Sequence, residues 1–240
     1  MKTILITGAN KGIGFETARQ LAQLGYFVYL GSRDIANGQQ AERQLKEMGL
    51  SNVEAIGLDV TDIGSIIKAR AVLEGKIGAL DILINNAGTS GEQPQNISAV
   101  DITNLRQIFE TNYFGVVQTT QQFLPLLKKA KEPTIVNVSS EVGSLGMNIA
   151  RGRNKNWNNF QAYGSSKTAL NSFTVMLAND LEGTSFRVNS VTPGYTATDL
   201  NNFQGLKTVE QGAKAIVELA INPDRTISGK FFKEDGEVAW

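Results

Sequence analysis

Short apolar runs and amphipathic stretches alternate along the whole chain. The apolar runs are rich in β-branched and aliphatic residues, as buried strands are; they lie at 2–7, 27–30, 53–58, 81–84, 134–138, 186–191 and 230–232. Stretches with apolar residues at helical spacing separate them; they lie near 34–48, 62–77, 100–130, 160–182 and 207–221. This alternation predicts an α/β fold, with one doubly wound parallel sheet of about seven strands and helices on both faces.

No linker, repeat or low-complexity segment interrupts this series, so we predict a single domain over residues 1–240. That length lies within the range of one large α/β domain. One stretch breaks the pattern, because residues 148–160 are polar, rich in asparagine and aperiodic. We interpret this stretch as a loop insertion.

A glycine-rich motif lies between the first strand and the helix that follows it. Residues 8–14 read Gly-Ala-Asn-Lys-Gly-Ile-Gly, and Phe15, Ala18 and Leu21 then recur at helical spacing. Glycines let the backbone approach a pyrophosphate closely, and a helix N-terminus offers it unpaired N–H groups. The spacing is G-x-x-x-G-x-G and not the common G-x-G-x-x-G, but strand, loop and helix follow in the order of a Rossmann-like dinucleotide site. The alternative is an ordinary glycine-rich turn.

Composition and charge exclude several classes of function. The chain is 41% hydrophobic and 19% charged, with 23 acidic and 23 basic residues, so nothing favours binding to nucleic acid or a membrane surface. It has no cysteine and no histidine, which excludes a disulfide framework and a Ser-His-Asp triad and leaves no metal site to predict. No apolar run is long enough to span a membrane, and no signal peptide precedes the first strand, so we expect a cytoplasmic protein.

Tyr163 and Lys167 are four residues apart in a stretch predicted to be helical, so their side chains share one face. An ammonium beside a phenol favours the phenolate, which is expected to lower the pKa of the tyrosine toward the range of a working proton donor. The pair alone is weak evidence for a catalytic site, because tyrosine and lysine meet at this spacing on many solvated helix faces. Ser140 at a strand end and Asn112 upstream strengthen that evidence.

The chain resembles the short-chain dehydrogenase/reductase family over its whole length, and within it the carbonyl reductases that use NADPH. The matching motifs are Thr7 to Gly14, Asn85-Asn86-Ala87-Gly88, Asn112, Ser140, Tyr163-x-x-x-Lys167 and Pro193-Gly194. The resemblance implies that Tyr163 protonates a carbonyl oxygen as hydride arrives and that Lys167 lowers the tyrosine pKa and binds the nicotinamide ribose. It implies that Ser140 polarises the carbonyl and that Asn112 holds a water chain that returns the proton.

The resemblance also implies a cofactor half at about 1–140 and catalytic and substrate elements at about 140–240. The expected NADP(H) contacts are Gly8, Asn10, Lys11, Gly12, Ile13, Gly14, Ser32, Arg33, Asp59, Val60, Asn86, Ala87, Gly88, Tyr163, Lys167, Pro193, Gly194, Thr196 and Thr198. Asp59 and Val60 resemble the pair that contacts adenine, and Thr196 would hold the carboxamide. Asn85 is as well explained by a tie between neighbouring strands, and Thr198 by a helix cap.

Charge at the end of the second strand favours NADP over NAD. An acid at that position would bind the ribose hydroxyls of NAD, whereas Ser32 and Arg33 stand there, with Lys11 in reach. The alternative is that both cations are solvated surface residues, and we interpret Asp34 as the cap of the next helix. An NAD-linked alcohol dehydrogenase on the same scaffold and a dinucleotide sensor without turnover remain as other functions.

The substrate and the oligomeric state are less constrained. Ser140, Leu145, Trp157 and Tyr195 are expected to line a mainly apolar cleft for a small or medium ketone, aldehyde or quinone, although several such residues could be ordinary core. Ser139 and Ser140 point opposite ways at the strand end, and Ser140 is chosen by the family pattern. The stretches 100–130 and 160–182 could pair in a homo-oligomer, whereas the 148–160 insertion favours a monomer by analogy.

Overall fold

A computed structural model describes residues 1–150 and 154–240. The strands of these residues are β1 (Thr3–Thr7), β2 (Phe27–Ser32), β3 (Val53–Gly57), β4 (Ile82–Asn85), β5 (Thr134–Val138), β6 (Arg187–Val191), β7 (Phe231–Lys233) and β8 (Gly236–Glu237). Their α-helices are α1 (Gly12–Gln23), α2 (Ile35–Glu47), α3 (Ile63–Glu74), α4 (Ile102–Phe109), α5 (Gly115–Leu127), α6 (Leu145–Ile149), α7 (Gln161–Asp180) and α8 (Val209–Ile221). None of the helices in residues 1–150 and 154–240 combines the length and the hydrophobicity that a membrane span requires.

The strands form one sheet in the order β3-β2-β1-β4-β5-β6-β7-β8. The first seven are parallel, which confirms the predicted doubly wound sheet, and β8 pairs antiparallel with β7. Two residues are too few to show the alternation that marks a strand, so β8 escaped the sequence analysis. After β3 the chain crosses to the other side of β1, so the carboxyl ends of β1 and β4 flank the point where a doubly wound sheet binds its ligand.

Alternate residues of the central strands enter two different cores. Along β1, Ile4 and Ile6 pack in a cluster that includes buried residues of α1, α2 and α8. Leu5 between them packs in a second cluster with buried residues of α3, α5 and α7. Burial on both faces explains why these strands read as continuous apolar runs.

The predicted helix at 100–130 is interrupted. Between α4 and α5 the residues Glu110–Phe114 form a π-helical turn, which contains the fully buried Asn112. The first residue of α5 is Gly115, where an added Cβ would lie 2.9 Å from both the carbonyl oxygen and a methyl group of Val60. Single π-turns of this kind occur often at functional sites.

The interpretation of residues 148–160 as an irregular loop is only partly correct. Its first residues belong to α6, and Lys155–Phe160 form a short 3₁₀ helix that Asn154 caps by accepting a hydrogen bond from Asn156 N at 3.0 Å. Residues 151–153 of the predicted insertion lie outside the described residues. The periodicity was invisible because each helical segment is shorter than the window that reveals it.

Candidate active site

The predicted site residues converge at the carboxyl edge of the sheet. The segments that follow β1, β4, β5 and β6 meet there because parallel strands end at the same edge. The other predicted catalytic residues lie on helices. Tyr163 and Lys167 lie on α7, and Asn112 lies in the π-helical turn before α5.

The Ser140 hydroxyl is hydrogen-bonded to the Tyr163 side chain. Ser139 faces the opposite way, and its buried hydroxyl donates to Asn171 Oδ1 at 2.6 Å. Tyr163 stands in the first turn of α7, where its backbone N–H donates to Gln95 Oε1 at 3.0 Å. Gln95 is fully buried and fixes this turn, yet nothing in the sequence distinguished it from other loop glutamines.

Lys167 lies one helical turn after Tyr163 and is almost completely buried. Its Nζ donates to the carbonyl oxygen of Val138 at 2.9 Å and lies 5.6 Å from the centre of the Tyr163 ring. At Gly143 an added Cβ would come within 2.6 Å of Lys167 Cβ, so glycine permits the turn after β5 to pack directly on α7. The lysine is therefore held between the strand that leads to Ser140 and the helix that carries Tyr163.

The expected direction of the tyrosine pKa is wrong for this arrangement. Burial raises the pKa of Tyr163 to about 12, and the hydrogen bond from Ser140 offsets only part of that rise. Burial also lowers the pKa of Lys167 to about 8. The ammonium donates to the Val138 carbonyl oxygen, and desolvation of the buried phenol outweighs charge–charge attraction. At neutral pH the phenol keeps its proton and the lysine is mostly charged.

Asn112 joins the loop after β4 to α7. Its Nδ2 donates to Thr89 O at 2.9 Å and to Ser166 Oγ at 3.0 Å, and its Oδ1 accepts from Thr89 N at 2.9 Å. Both amide hydrogens are thus used inside the protein. The predicted water chain at Asn112 stays a prediction, because these contacts give the side chain a structural task that the sequence did not indicate.

The glycine loop, residues 8–14, has a backbone open to a ligand, and we call this loop the cradle. Gly8 and Gly12 have φ of +63° and +58°, in the left-handed region that glycine adopts without strain. A Cβ on Gly14 would collide with the Asn86 side-chain amide and the Gly8 carbonyl. Asn10 and Ile13, which complete the predicted set in this loop, are half-buried.

Side chains from β1 and β4 hold the cradle in place. Asn86 Nδ2 donates to the carbonyl oxygens of Thr7 and Gly8 at 2.9 and 3.1 Å. The buried Thr7 hydroxyl accepts from the backbone N–H groups of Asn86 and Ala87 at 3.0 and 2.9 Å. Gly88 comes next in the chain after Ala87. A Cβ added at Gly88 would lie 3.3 Å from Asn112 Oδ1, so the backbone there packs closely on the Asn112 side chain. Thr7 belongs to the predicted motif but not to the predicted site residues, and its role is to join the two strand ends.

At the end of β2 the structure separates the residues that were expected to act together. Ser32 is buried, and its hydroxyl donates to Asp34 O at 2.7 Å, so it is directed inward and not toward a ligand. Arg33 is exposed and has no ion-pair or hydrogen-bond partner among the described residues. Lys11 forms an ion pair with Asp199 at 3.2 Å. Asp34 caps α2 by accepting from Ala36 N at 2.8 Å, as interpreted from the sequence.

Asp59 and Val60 follow β3 on the same edge. The half-buried Asp59 accepts hydrogen bonds from the Thr61 N–H and hydroxyl at 2.9 and 2.8 Å, which uses one carboxylate oxygen. Val60 is buried against Gly115. Asn85 lies inside the sheet, where its Nδ2 donates to Thr120 Oγ1 and Asn137 Oδ1, so it ties strands and helix as its structural interpretation predicted.

The segment after β6 lies against the glycine loop. It turns at the buried Pro193 and at Gly194, whose φ is +74°. The Thr196 hydroxyl is buried and lies 3.3 Å from the carbonyl oxygens of Pro193 and Gly194, so it is used within its own loop. The Thr198 methyl, by contrast, is 3.6 Å from the position of an added Cβ on Gly12. Thr198 also begins a 3₁₀ turn, so it both caps a helix and faces the cradle.

Apolar side chains are exposed at the carboxyl edge of the sheet, and we call the surface formed by Leu145, Trp157 and Tyr195 the rim. Leu145 is 60% and Tyr195 is 45% exposed, whereas Trp157 is half-buried in the 3₁₀ helix before α7. The C-terminal residues return to this rim, because the Ser144 hydroxyl donates to Ala239 O at 2.6 Å and Gly146 N donates to Trp240 O at 2.5 Å. The sequence does not reveal this contact, since 95 positions separate Ser144 from Ala239.

A family model for short chain dehydrogenases matches residues 2–208. The chain belongs to the short-chain dehydrogenase family. It is 34% identical to (−)-isopiperitenone reductase from Mentha piperita, with 98% of this chain and 97% of that protein covered. Its fold matches salutaridine reductase from Papaver somniferum with a TM-score of 0.84 at 30% identity, covering 98% of this chain and 100% of that one.

Another member of the family has been seen with its cofactor. The NADPH-bound carbonyl reductase from chicken fatty liver matches with a TM-score of 0.86 at 26% identity, covering all of this chain and 99% of that one. Membership of the family makes the present chain an oxidoreductase that uses a nicotinamide cofactor. The alignment with the Mentha piperita reductase extends over 306 positions, so that protein has segments that the 240 residues of this chain lack.

Proposed function

We propose that the protein is an NADPH-dependent reductase that converts a carbonyl compound to an alcohol, with Tyr163 as the proton donor. The observation that carries the proposal is the arrangement of Ser140, Tyr163 and Lys167. The Ser140 hydroxyl is hydrogen-bonded to the Tyr163 hydroxyl, and the buried Lys167 ammonium lies 5.6 Å from the centre of the Tyr163 ring. A reduction needs an oriented carbonyl, a donor to its oxygen and one proton, and these three residues provide them without histidine or metal.

The roles follow from the protonation states. When the substrate binds, Ser140 turns its hydroxyl hydrogen from Tyr163 to the substrate oxygen. Both hydroxyl groups then donate to that oxygen, which stabilises the negative charge that develops on it. NADPH, when bound, supplies the hydride to the carbonyl carbon. Tyr163 then gives its proton to that oxygen, which suits a phenol whose pKa of about 12 keeps it protonated at neutral pH. The charge on Lys167 stabilises the phenolate until a proton returns.

The cradle fits a dinucleotide. Gly8, Gly12 and Gly14 leave the backbone bare at the start of α1, where N–H groups and the helix dipole favour a pyrophosphate. Arg33 would bind the 2′-phosphate of NADPH, since it is exposed at the end of β2 and its charge is unpaired among the described residues. Lys11 can contribute if it leaves Asp199, and such an exposed pair is weak.

The substrate we propose is an apolar ketone, aldehyde or quinone of small or medium size. Leu145, Trp157 and Tyr195 supply apolar surface at the rim, and no charged side chain among them would anchor a phosphorylated substrate. Isopiperitenone reductase and salutaridine reductase, by their names, reduce isopiperitenone and salutaridine, which supports a small-molecule substrate for this chain. The binding of cofactor by about residues 1–140 and of substrate by about 140–240 is part of this proposal.

Replacing Tyr163 with phenylalanine tests the proposal. The variant removes one hydroxyl from the site, and we expect kcat to fall by about 100-fold to 10,000-fold, the usual contribution of a general acid. NADPH affinity, measured by fluorescence titration, should stay within about threefold. Tyr26→Phe is the matched control, because Tyr26 lies at the opposite edge of the sheet. If Tyr163→Phe reduces carbonyls at the rate of the unmodified protein, Tyr163 is not the donor.

A further inference from the structure

A cavity lies at the amino-terminal edge of the sheet, on the far side from the candidate active site. Its volume is about 350 Å³. The charged and polar side chains at this cavity include Lys2, Asp81, Glu132, Thr134, Arg187 and Arg225. Neither the proposed reduction nor the dinucleotide cradle uses any of them.

Arg187 is the unusual member of this group. It is the first residue of β6 and is only 1% exposed. Its Nη1 donates to Asp224 O at 3.0 Å and its Nη2 to Thr134 Oγ1 at 3.3 Å, both of them neutral acceptors. Its Nε–H is buried and has no acceptor among the described residues. Buried guanidinium groups are normally paired with an acid or fully hydrogen-bonded, because desolvating a charge is costly.

Arg225 places a second positive charge beside the first. Its Nη1 donates to the same Thr134 Oγ1 at 3.2 Å, and its Nη2 donates to Ser185 O at 3.0 Å. In residues 1–150 and 154–240 no carboxylate lies within 4.0 Å of either guanidinium, so neither arginine has an ion-pair partner there. Two like charges therefore meet at one threonine oxygen without a counter-charge in contact.

The acids of the cavity have other partners. Asp81 Oδ2 accepts from Thr3 N at 2.7 Å, and Glu132 forms an exposed ion pair with Lys2 at 3.4 Å. Burial, together with the charge of Arg225, lowers the pKa of Arg187 to about 10, although Asp224 and Glu132 oppose this in part. The charge of Arg187 is thus disfavoured at this position, and a bound anion would offset the cost by direct attraction to both arginines.

We propose that this cavity binds a small oxyanion, either phosphate itself or the phosphate group of a small metabolite, between Arg187 and Arg225. The planar guanidinium groups offer several N–H donors in the geometry that phosphate oxygens accept. Thr134 stands between the two arginines and fixes their spacing. The site is independent of the cofactor, because the cradle and Arg33 lie at the carboxyl ends of the strands.

Titration calorimetry with inorganic phosphate, at an ionic strength held constant with sodium chloride, tests the proposal. We expect saturable binding at one site, weakened about 10-fold or more in Arg225→Gln, which removes charge-assisted hydrogen bonds. Glu132→Gln should bind phosphate more tightly, since it removes a negative charge from the cavity without touching either arginine. Lys11→Ala/Arg33→Ala should bind it unchanged, which excludes phosphate in the cofactor site. Glycerol 3-phosphate distinguishes the two sources, because tighter binding than phosphate indicates a metabolite.

Two results would overturn the proposal. One is the absence of saturable phosphate binding to the intact protein. The other is binding that is lost in Lys11→Ala/Arg33→Ala but kept in Arg225→Gln, which would assign the phosphate to the cofactor cradle. If Arg225→Gln is unstable, Glu132→Gln decides alone, since unchanged or weaker affinity in that variant contradicts an anion site in this cavity.

Discussion

Replacing Lys167 with methionine should stabilise the fold while it removes activity. Methionine has a similar length and can occupy the same buried space without a charge. In the native chain Lys167 is 4% exposed, and its one side-chain hydrogen bond among the described residues is to Val138 O. The protein therefore carries the cost of a buried charge, and the proposed chemistry explains why the charge is there.

The size of the effect follows from the pKa. A fall from 10.5 to about 8 corresponds to roughly 3 kcal/mol of free energy by which folding disfavours the charged lysine, at about 1.4 kcal/mol per pH unit. The variant loses the hydrogen bond and leaves the Val138 carbonyl unpaired, which costs about 1–3 kcal/mol. We expect a net gain in the free energy of unfolding of about 1 kcal/mol at pH 7.

The dependence on pH gives the effect a signature. Below pH 8 Lys167 is protonated in the folded and the unfolded chain, so the native protein bears the full cost. Between pH 8 and 10.5 the unfolded chain binds the proton more tightly, so the native free energy of unfolding rises with pH. The methionine variant lacks this rise. Its advantage at pH 7 should therefore shrink, and reverse, by about 2–3 kcal/mol as the pH approaches 10.

Urea unfolding at pH 7 and at pH 10 measures both the gain in the free energy of unfolding at pH 7 and its change with pH. Lys68→Met, an exposed lysine of α3, is the matched control and should change the free energy of unfolding by less than about 0.5 kcal/mol at either pH. Differences between variants cancel the other groups that titrate in alkali. A methionine variant that is less stable than the native protein at pH 7, with a gap that does not change with pH, would refute the buried-charge reasoning.

Three further predictions concern the site. Arg33→Ala should raise the KM for NADPH about 10-fold or more and leave the KM for NADH within about twofold, in steady-state assays; equal changes for both cofactors would contradict a 2′-phosphate site. Ser140→Ala should lower kcat by about 100-fold, as the loss of an oxyanion donor does, whereas Ser139→Ala should cost about 1 kcal/mol of stability and little rate; the reverse result would exchange their roles. Trp240→Ala removes the ring stacked on Phe231 at 5.7 Å and should raise the KM for the carbonyl substrate several-fold more than that for NADPH, and equal KM changes would place its effect outside the substrate rim.

The fold could be predicted from the sequence because its signals are local. The strands of a doubly wound sheet are buried on both faces, so β1 to β7 appear as apolar runs between helical stretches. The glycine loop also has a local signal, since its strand, turn and helix are consecutive. The parts that were missed depend on distant contacts: the role of Gln95 at the start of α7, the return of Ala239 to Ser144, and the two-residue strand β8.

Electrostatics was the harder part to predict. Spacing alone places Lys167 beneath Tyr163, but the pKa values depend on burial and on the direction of the ammonium toward Val138. Ser32 likewise looks available in the sequence, whereas its hydroxyl is bonded to Asp34 O inside the fold. The sequence pattern places Arg187 in an apolar strand, but the burial of its charge beside Arg225 depends on the folded chain.

The most direct test of the central claim is the rate of nicotinamide oxidation with NADPH and with NADH, against apolar cyclic ketones, quinones and aromatic aldehydes. The account predicts turnover of at least one carbonyl class, with kcat/KM for NADPH at least about 10-fold above that for NADH. Turnover that favours NADH would contradict the assignment of Arg33. Tight NADPH binding without oxidation by any of these carbonyl compounds would contradict the proposed reduction at Ser140 and Tyr163.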